Sequence, residues 1–173
     1  MNVLGVILKA AVAFTFIFTG CIKLFQIKES VRFFRDWGIF PPKIGILLGF
    51  GIPPVELMTG IALILNNNVL VEIFALAIIV FLVAINTKAV IDQDSKPCFC
   101  FGNFIQTRLG IGGLIHTVYL LLALFVSIFM VEITVLNLFY TYSIFNQILI
   151  CSIALLTFVN GISIRLVLDK LAA

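Results

Sequence analysis

Five apolar stretches, each close to the length a bilayer demands, follow one another along the chain with one long polar interruption. A helix needs about 20 consecutive apolar residues to cross the hydrocarbon core. The stretches at 3–24, 43–65, 69–91, 114–131 and 143–166 meet that requirement. Of the 173 residues, 62% are hydrophobic and only 11% are charged, whereas soluble domains carry about 25% charged residues. That balance excludes an ordinary water-soluble globule. It equally excludes a disordered chain, which needs low hydrophobicity and high charge. Lipid offers no partner to unpaired backbone groups, so every span must be helical. The expected fold is an all-α, multi-pass integral membrane protein forming a single membrane domain over 1–173.

The connections carry the remaining information. Residues 28–38 mix Lys28, Glu29, Arg32 and Arg35 with Val31, Phe33, Phe34 and Trp37, a spacing that suits an amphipathic helix lying in the interface. Pro41 and Pro42 open the second span, as proline does in a first helical turn. Asn66–Asn68 is a tight turn that returns the third span antiparallel. The long insert is 92–113, and the surface turn around Glu132–Tyr142 carries Tyr140 and Tyr142, placed for an aromatic belt. The first span lacks a basic flank and a cleavage site, so it is expected to be retained.

Five spans put the termini on opposite sides. One side holds Lys9 alone among Lys and Arg. The other holds Lys23, Lys28, Arg32, Arg35, Lys43, Lys88, Lys96, Arg108, Arg165 and Lys170. Basic residues collect in short cytoplasmic loops, so this count assigns the second side, with the long insert, to the cytoplasm. No basic run with interleaved aromatics occurs in a polar context, so no nucleic-acid partner is expected.

The insert contains Pro97-Cys98-Phe99-Cys100-Phe101-Gly102. Two cysteines one residue apart close a disulfide only by bending the backbone into a small ring, which departs from relaxed geometry. A strained disulfide has a raised reduction potential and exchanges readily. Pro97 fixes a bend, Gly102 permits one, and Lys96 and Arg108 favour a thiolate. Two other readings of the pair stand beside this one: small buried hydrophobes, or a thiolate clip for Cu(I). Cys21 lies near the same membrane face and is a candidate third thiol, or else packs beside Gly20. Cys151 lies deep in the fifth span.

Glu56 sits inside the second span after Pro53 and Pro54. An ionisable residue at that depth marks function unless it is paired; its candidate partners are Thr59, Asn86 and His116. The prolines are expected to kink the helix and free carbonyls, opening a cavity for a flat apolar ligand such as a quinone ring. Lys23 is able to snorkel to the interface, and a structural role is expected for it. His116, the only histidine, is a candidate proton carrier or a packing residue.

Gly20 with Lys23-Leu24, Gly38 with Pro41, Pro54-x-Glu56 with Gly60, and Cys98-x-Cys100-Phe101-Gly102 together resemble the MauE methylamine-utilisation proteins within the wider DoxX-like membrane family. The resemblance covers roughly residues 5–130. It implies a four-helix core laid out like vitamin K epoxide reductase, to which this chain adds a fifth span. It also implies disulfide formation or electron transfer with thioredoxin-like partners outside the cytoplasm, against the charge count. Phe99 departs from the glycine usual between the two cysteines. On this reading Cys98, Cys100, Cys21, Glu56 and His116 carry the chemistry. Pro54, Glu56 and Phe101 contact a quinone, and no metal is expected. The expected activity is that of a thiol–disulfide oxidoreductase of the inner (cytoplasmic) membrane, with a thioredoxin-like or disulfide-bearing partner. The alternative is a non-catalytic subunit or assembly factor of a membrane redox complex.

Overall fold

A computed structural model describes residues 3–36, 40–92, 97–98, 101, 107–108, 110–130, 135 and 143–171. Its helices are α1 (Val3–Phe25), α2 (Ile27–Asp36), α3 (Pro42–Leu65), α4 (Val69–Ile91), α5 (Ile111–Met130) and α6 (Ile144–Leu171). All but α2 are long and apolar enough to span a membrane. The insert adds two short antiparallel strands, β1 (Pro97–Cys98) and β2 (Thr107–Arg108), with Cys98 opposite Thr107. The hydropathy pattern gave no sign of this ladder.

The first span is the hub. α1 is mostly buried and packs against α3, α5 and α6, while α4 packs chiefly on α5 and only sparsely on α3. The central core joins Val12, Ala13 and Phe16 of α1 to Leu63, Ala75, Ile79, Leu120 and Leu124. Lipid tails are as apolar as leucine, so membrane helices associate through close packing of small residues. The α1–α3 crossing does this reciprocally. A Cβ on Gly20 would lie 2.7 Å from the Leu57 backbone nitrogen, and one on Gly60 would lie 2.9 Å from the Ala13 carbonyl.

The amphipathic segment is α2, with Ser30 and Phe34 buried and Arg32 and Arg35 in ion pairs on its exposed face. Trp37 and Gly38 lie outside the described residues. α2 docks on α3 through a defect in α3 itself. Pro53 has no N–H to offer the carbonyl of Gly49 four residues earlier. That carbonyl instead accepts a hydrogen bond from Ser30 Oγ at 3.0 Å. The expectation that the prolines leave their carbonyls free is therefore corrected at Gly49: the orphaned acceptor is the docking point for α2, and α3 continues as helix through both prolines.

Two helix ends differ from the hydropathy reading. α5 begins at Ile111 because Gly110, at φ +136°, turns the chain and accepts a backbone hydrogen bond from Leu114 at 2.9 Å. α6 extends to Leu171 because Arg165 and Asp169, four residues apart, sit on one face and approach to 3.8 Å.

Replacing Ser30 by Ala leaves the Gly49 carbonyl buried without a donor, at a cost of about 1–3 kcal/mol. Thermal unfolding in detergent should show the loss. An unchanged midpoint would mean that α2 is not held by this bond.

Candidate functional site

Two buried ion pairs cross between helices. Lys23 Nζ donates to both carboxylate oxygens of Glu56, at 2.7 and 2.8 Å, joining α1 to α3. Lys9 Nζ donates to Glu72 at 2.6 Å and to Asn67 Oδ1 at 2.8 Å, joining α1 to α4 and its preceding turn. All four ionic side chains are buried.

Lys23 takes a structural role and does not snorkel outward, because a buried carboxylate lies within its reach on α3. One expectation is corrected: the partner of Glu56 is Lys23, and none of the three polar residues expected. Thr59 donates to the Val55 carbonyl at 2.7 Å and Asn86 donates to the Leu82 carbonyl at 2.8 Å, while His116 is committed to α6. The Lys9–Glu72 pair escaped the sequence reading. Its signal was present: a lysine well inside one span and a lone glutamate at the start of another, each too costly to bury alone.

Sparse contact between α3 and α4 leaves a groove of about 290 Å³. Leu48, Ile52 and Val55 form one wall and Ala77, Phe81 and Leu82 the other, with Glu56 at its floor. Leu48, Ile52, Phe81 and Leu82 also pack on the cluster that buries Cys98 with Phe34, Ile85 and Ala89. The groove therefore shares wall residues with the cluster that contains Cys98. The groove is lined almost entirely by apolar side chains and is open on one side.

The other expected site residues are distributed differently. Pro54 faces outward and does not line the groove. Neither does Phe101, which is buried among other spans. Its ring centroid lies 6.4 Å from that of Phe18 on α1 and 5.7 Å from the His116 ring on α5, with the Arg165 guanidinium 5.2 Å over it from α6. Of the three residues expected to touch a quinone, only Glu56 lines the groove. The other two are diverted because a helical residue next to a groove-lining one points about 100° away, and because Phe101 is claimed by a cation–π contact. Cys98 is buried, and its carbonyl accepts a hydrogen bond from the Thr107 hydroxyl at 3.4 Å. Cys21 and Cys151 are half-buried free thiols. Cys100, Lys96 and Gly102 lie outside the described residues. Among the described residues no three His, Cys, Asp or Glu side chains gather as a metal-holding set.

Removing one partner of a buried ion pair typically costs about 3–5 kcal/mol, whereas replacing both by apolar groups is far milder. Lys23→Met alone should therefore unfold well below the wild type, and Lys23→Met with Glu56→Met should recover most of the loss. Equal midpoints for the single and double variants would contradict the pairing.

Comparison with known proteins places these features in a family. A family model described as methylamine utilisation protein MauE matches residues 1–131, which include α1 to α5 and the Cys98 insert. No curated protein and no solved structure matches the chain. The matched region covers well over half of the 173 residues, and the chain belongs to the MauE family.

Proposed function

We propose that this protein is a membrane thiol–disulfide oxidoreductase that passes electrons between a thioredoxin-like or substrate protein and a membrane quinone, with Cys98 and Cys100 as the exchanging pair. The observation that carries this reading is the wall that the α3–α4 groove shares with the cluster containing Cys98. A thiol pair and a hydrophobic acceptor need to meet at the lipid boundary, and the groove brings a lipid-soluble ring to the cysteine's own packing shell. Two further observations support the reading. Cys98, unlike Cys21 and Cys151, is not a free thiol. The MauE membership ties the chain to methylamine utilisation. The layout that the sequence resemblance implies, like that of vitamin K epoxide reductase, would supply a precedent for a helical core that joins thiols to a quinone.

In the reduced pair one sulfur, as thiolate, attacks the partner's disulfide and the second sulfur resolves the mixed disulfide; in the oxidised pair the partner's thiolate attacks one sulfur of the S–S bond, expelling the other as thiolate, and the partner's own second sulfur resolves the mixed disulfide. When the Cys98–Cys100 pair is oxidised, its S–S bond forms, two electrons leave with two protons, and the quinone takes up both as quinol. Glu56, at the groove floor, keeps Lys23 neutralised beside the ring. Cys21, free and on the same face, is a second thiol able to exchange. The protein works in the inner (cytoplasmic) membrane, and the compartment that Cys98 faces decides which thioredoxin-like partner it serves.

Single Cys98→Ser and Cys100→Ser variants test the reading. Removing the resolving sulfur should trap a covalent complex with a thioredoxin-like protein, visible as a dithiothreitol-sensitive band, and each variant should lose methylamine-dependent growth. If both variants support growth and trap nothing, the chain is instead a non-catalytic subunit or assembly factor. A groove-filling Ala77→Phe should raise the KM for a short-chain quinone at least several-fold while leaving thiol exchange with the protein partner intact.

A further inference from the structure

Cys98 and Phe101 stand three positions apart and are held by different helices. Cys98 is buried in a cluster with Phe34 of α2 and Ile85 and Ala89 of α4. Phe101 is 1% exposed, and its ring meets Phe18 of α1 and His116 of α5. The Arg165 guanidinium of α6 lies over the same ring, 5.2 Å from its centroid. The two flanks of the Cys98–Cys100 pair are therefore pinned by separate sets of helices.

Arg165 is built into this contact. An arginine near the end of a membrane helix ordinarily reaches out to water, yet Arg165 is 1% exposed. Two glycines at the start of α5 leave it room. A Cβ on Gly112 would lie 3.0 Å from the Arg165 carbonyl, and one on Gly113 would lie 3.3 Å from its Nη2. Asp169 approaches the guanidinium to 3.8 Å from the next turn of α6. A cation over an aromatic face gains most where water is excluded. Seven positions earlier on α6, the Phe158 ring stands edge-on to Phe18 at 5.4 Å. α6 also touches β2, whose Thr107 lies opposite Cys98. The fifth span thus meets the insert at Phe101 and at β2, and it lies beyond the residues 1–131 that match the family.

We infer that Arg165 is a positioning residue for the Cys98–Cys100 pair, acting through the Phe101 ring to hold the segment in the bend that the disulfide needs. The inference rests on the function proposed above. On reduction, dithiothreitol supplies two electrons and two protons, the Cys98–Cys100 bond breaks, and dithiothreitol leaves as its own cyclic disulfide. While both flanks are pinned, the two thiols gain little freedom when the bond breaks, so the disulfide is favoured. Without the cation the Phe101 flank is released, the dithiol gains freedom, and the equilibrium moves toward the reduced form.

The full chain in lipid nanodiscs is equilibrated with graded ratios of reduced and oxidised dithiothreitol, and alkylation counts the free thiols. The wild type should go from two, Cys21 and Cys151, to all four of its cysteines. Arg165→Met should move the equilibrium about tenfold toward the dithiol, which is about 30 mV for a two-electron couple. Phe101→Leu should move it by a similar amount. Because the two residues act through one contact, the combined variant should move it no further. Adding Asp169→Leu to Arg165→Met removes the carboxylate that the single substitution strands, and this second variant should show the same displacement. A wild-type equilibrium in both Arg165 variants, or displacements that add in the Arg165–Phe101 combination, would overturn the inference and leave the oxidoreductase reading standing. A wild type that gains no thiols on reduction would overturn both.

Discussion

The pairing of buried charge along α1 governs the arrangement of the bundle. Lys9 and Lys23 both stand in a helix that runs through the middle of the protein, and neither can remain charged there without a carboxylate. Each finds one on a different neighbour, Glu72 of α4 and Glu56 of α3. The fourteen positions between them correspond to about 21 Å of helix rise, so the two clamps fix both the rotation and the height of α1. α3 packs mainly on α1 and α4 mainly on α5, with little contact between α3 and α4, so the space between them stays open.

Irregularities in α3 are used in a similar way. Proline removes a donor and glycine removes a side chain, and both weaken an isolated helix. Here the missing Pro53 donor creates the acceptor that Ser30 needs, and the bare faces of Gly45 and Gly49 let the backbone of α2 approach closely. The helix that walls the groove is thereby braced from the aqueous edge by α2 and from within by Gly60 and Lys23.

The spans were legible in the sequence because hydropathy over twenty residues is a one-dimensional signal. The five stretches and the amphipathic segment around Phe33 and Phe34 needed no knowledge of neighbours. The pairings were not legible, since Lys23 and Glu56 are separated by 33 positions with α2 between them, and nothing local says which faces meet. The three residues expected to touch a quinone do not share one groove for the same reason: Pro54 and Glu56 are near in sequence but point to different environments, and Phe101 lies under Arg165 from a span far along the chain. Several of the described residues that carried the resemblance make contacts between helices: Gly20 and Gly60 line the α1–α3 crossing, Lys23 pairs with Glu56, and Phe101 lies under Arg165.

Electron transfer from the cysteine pair to a lipid-soluble acceptor in the α3–α4 groove is the central claim, and a stoichiometric measurement tests it most directly. Pre-reduced protein in nanodiscs is mixed anaerobically with a photoreactive short-chain quinone, and quinol formed and thiols lost are counted together before illumination. The account predicts one quinol for every two thiols lost, with photolabel on α3 and α4 around Ile52 and Phe81. Thiols that persist in the presence of excess quinone, or label confined to helices away from the groove, would contradict it.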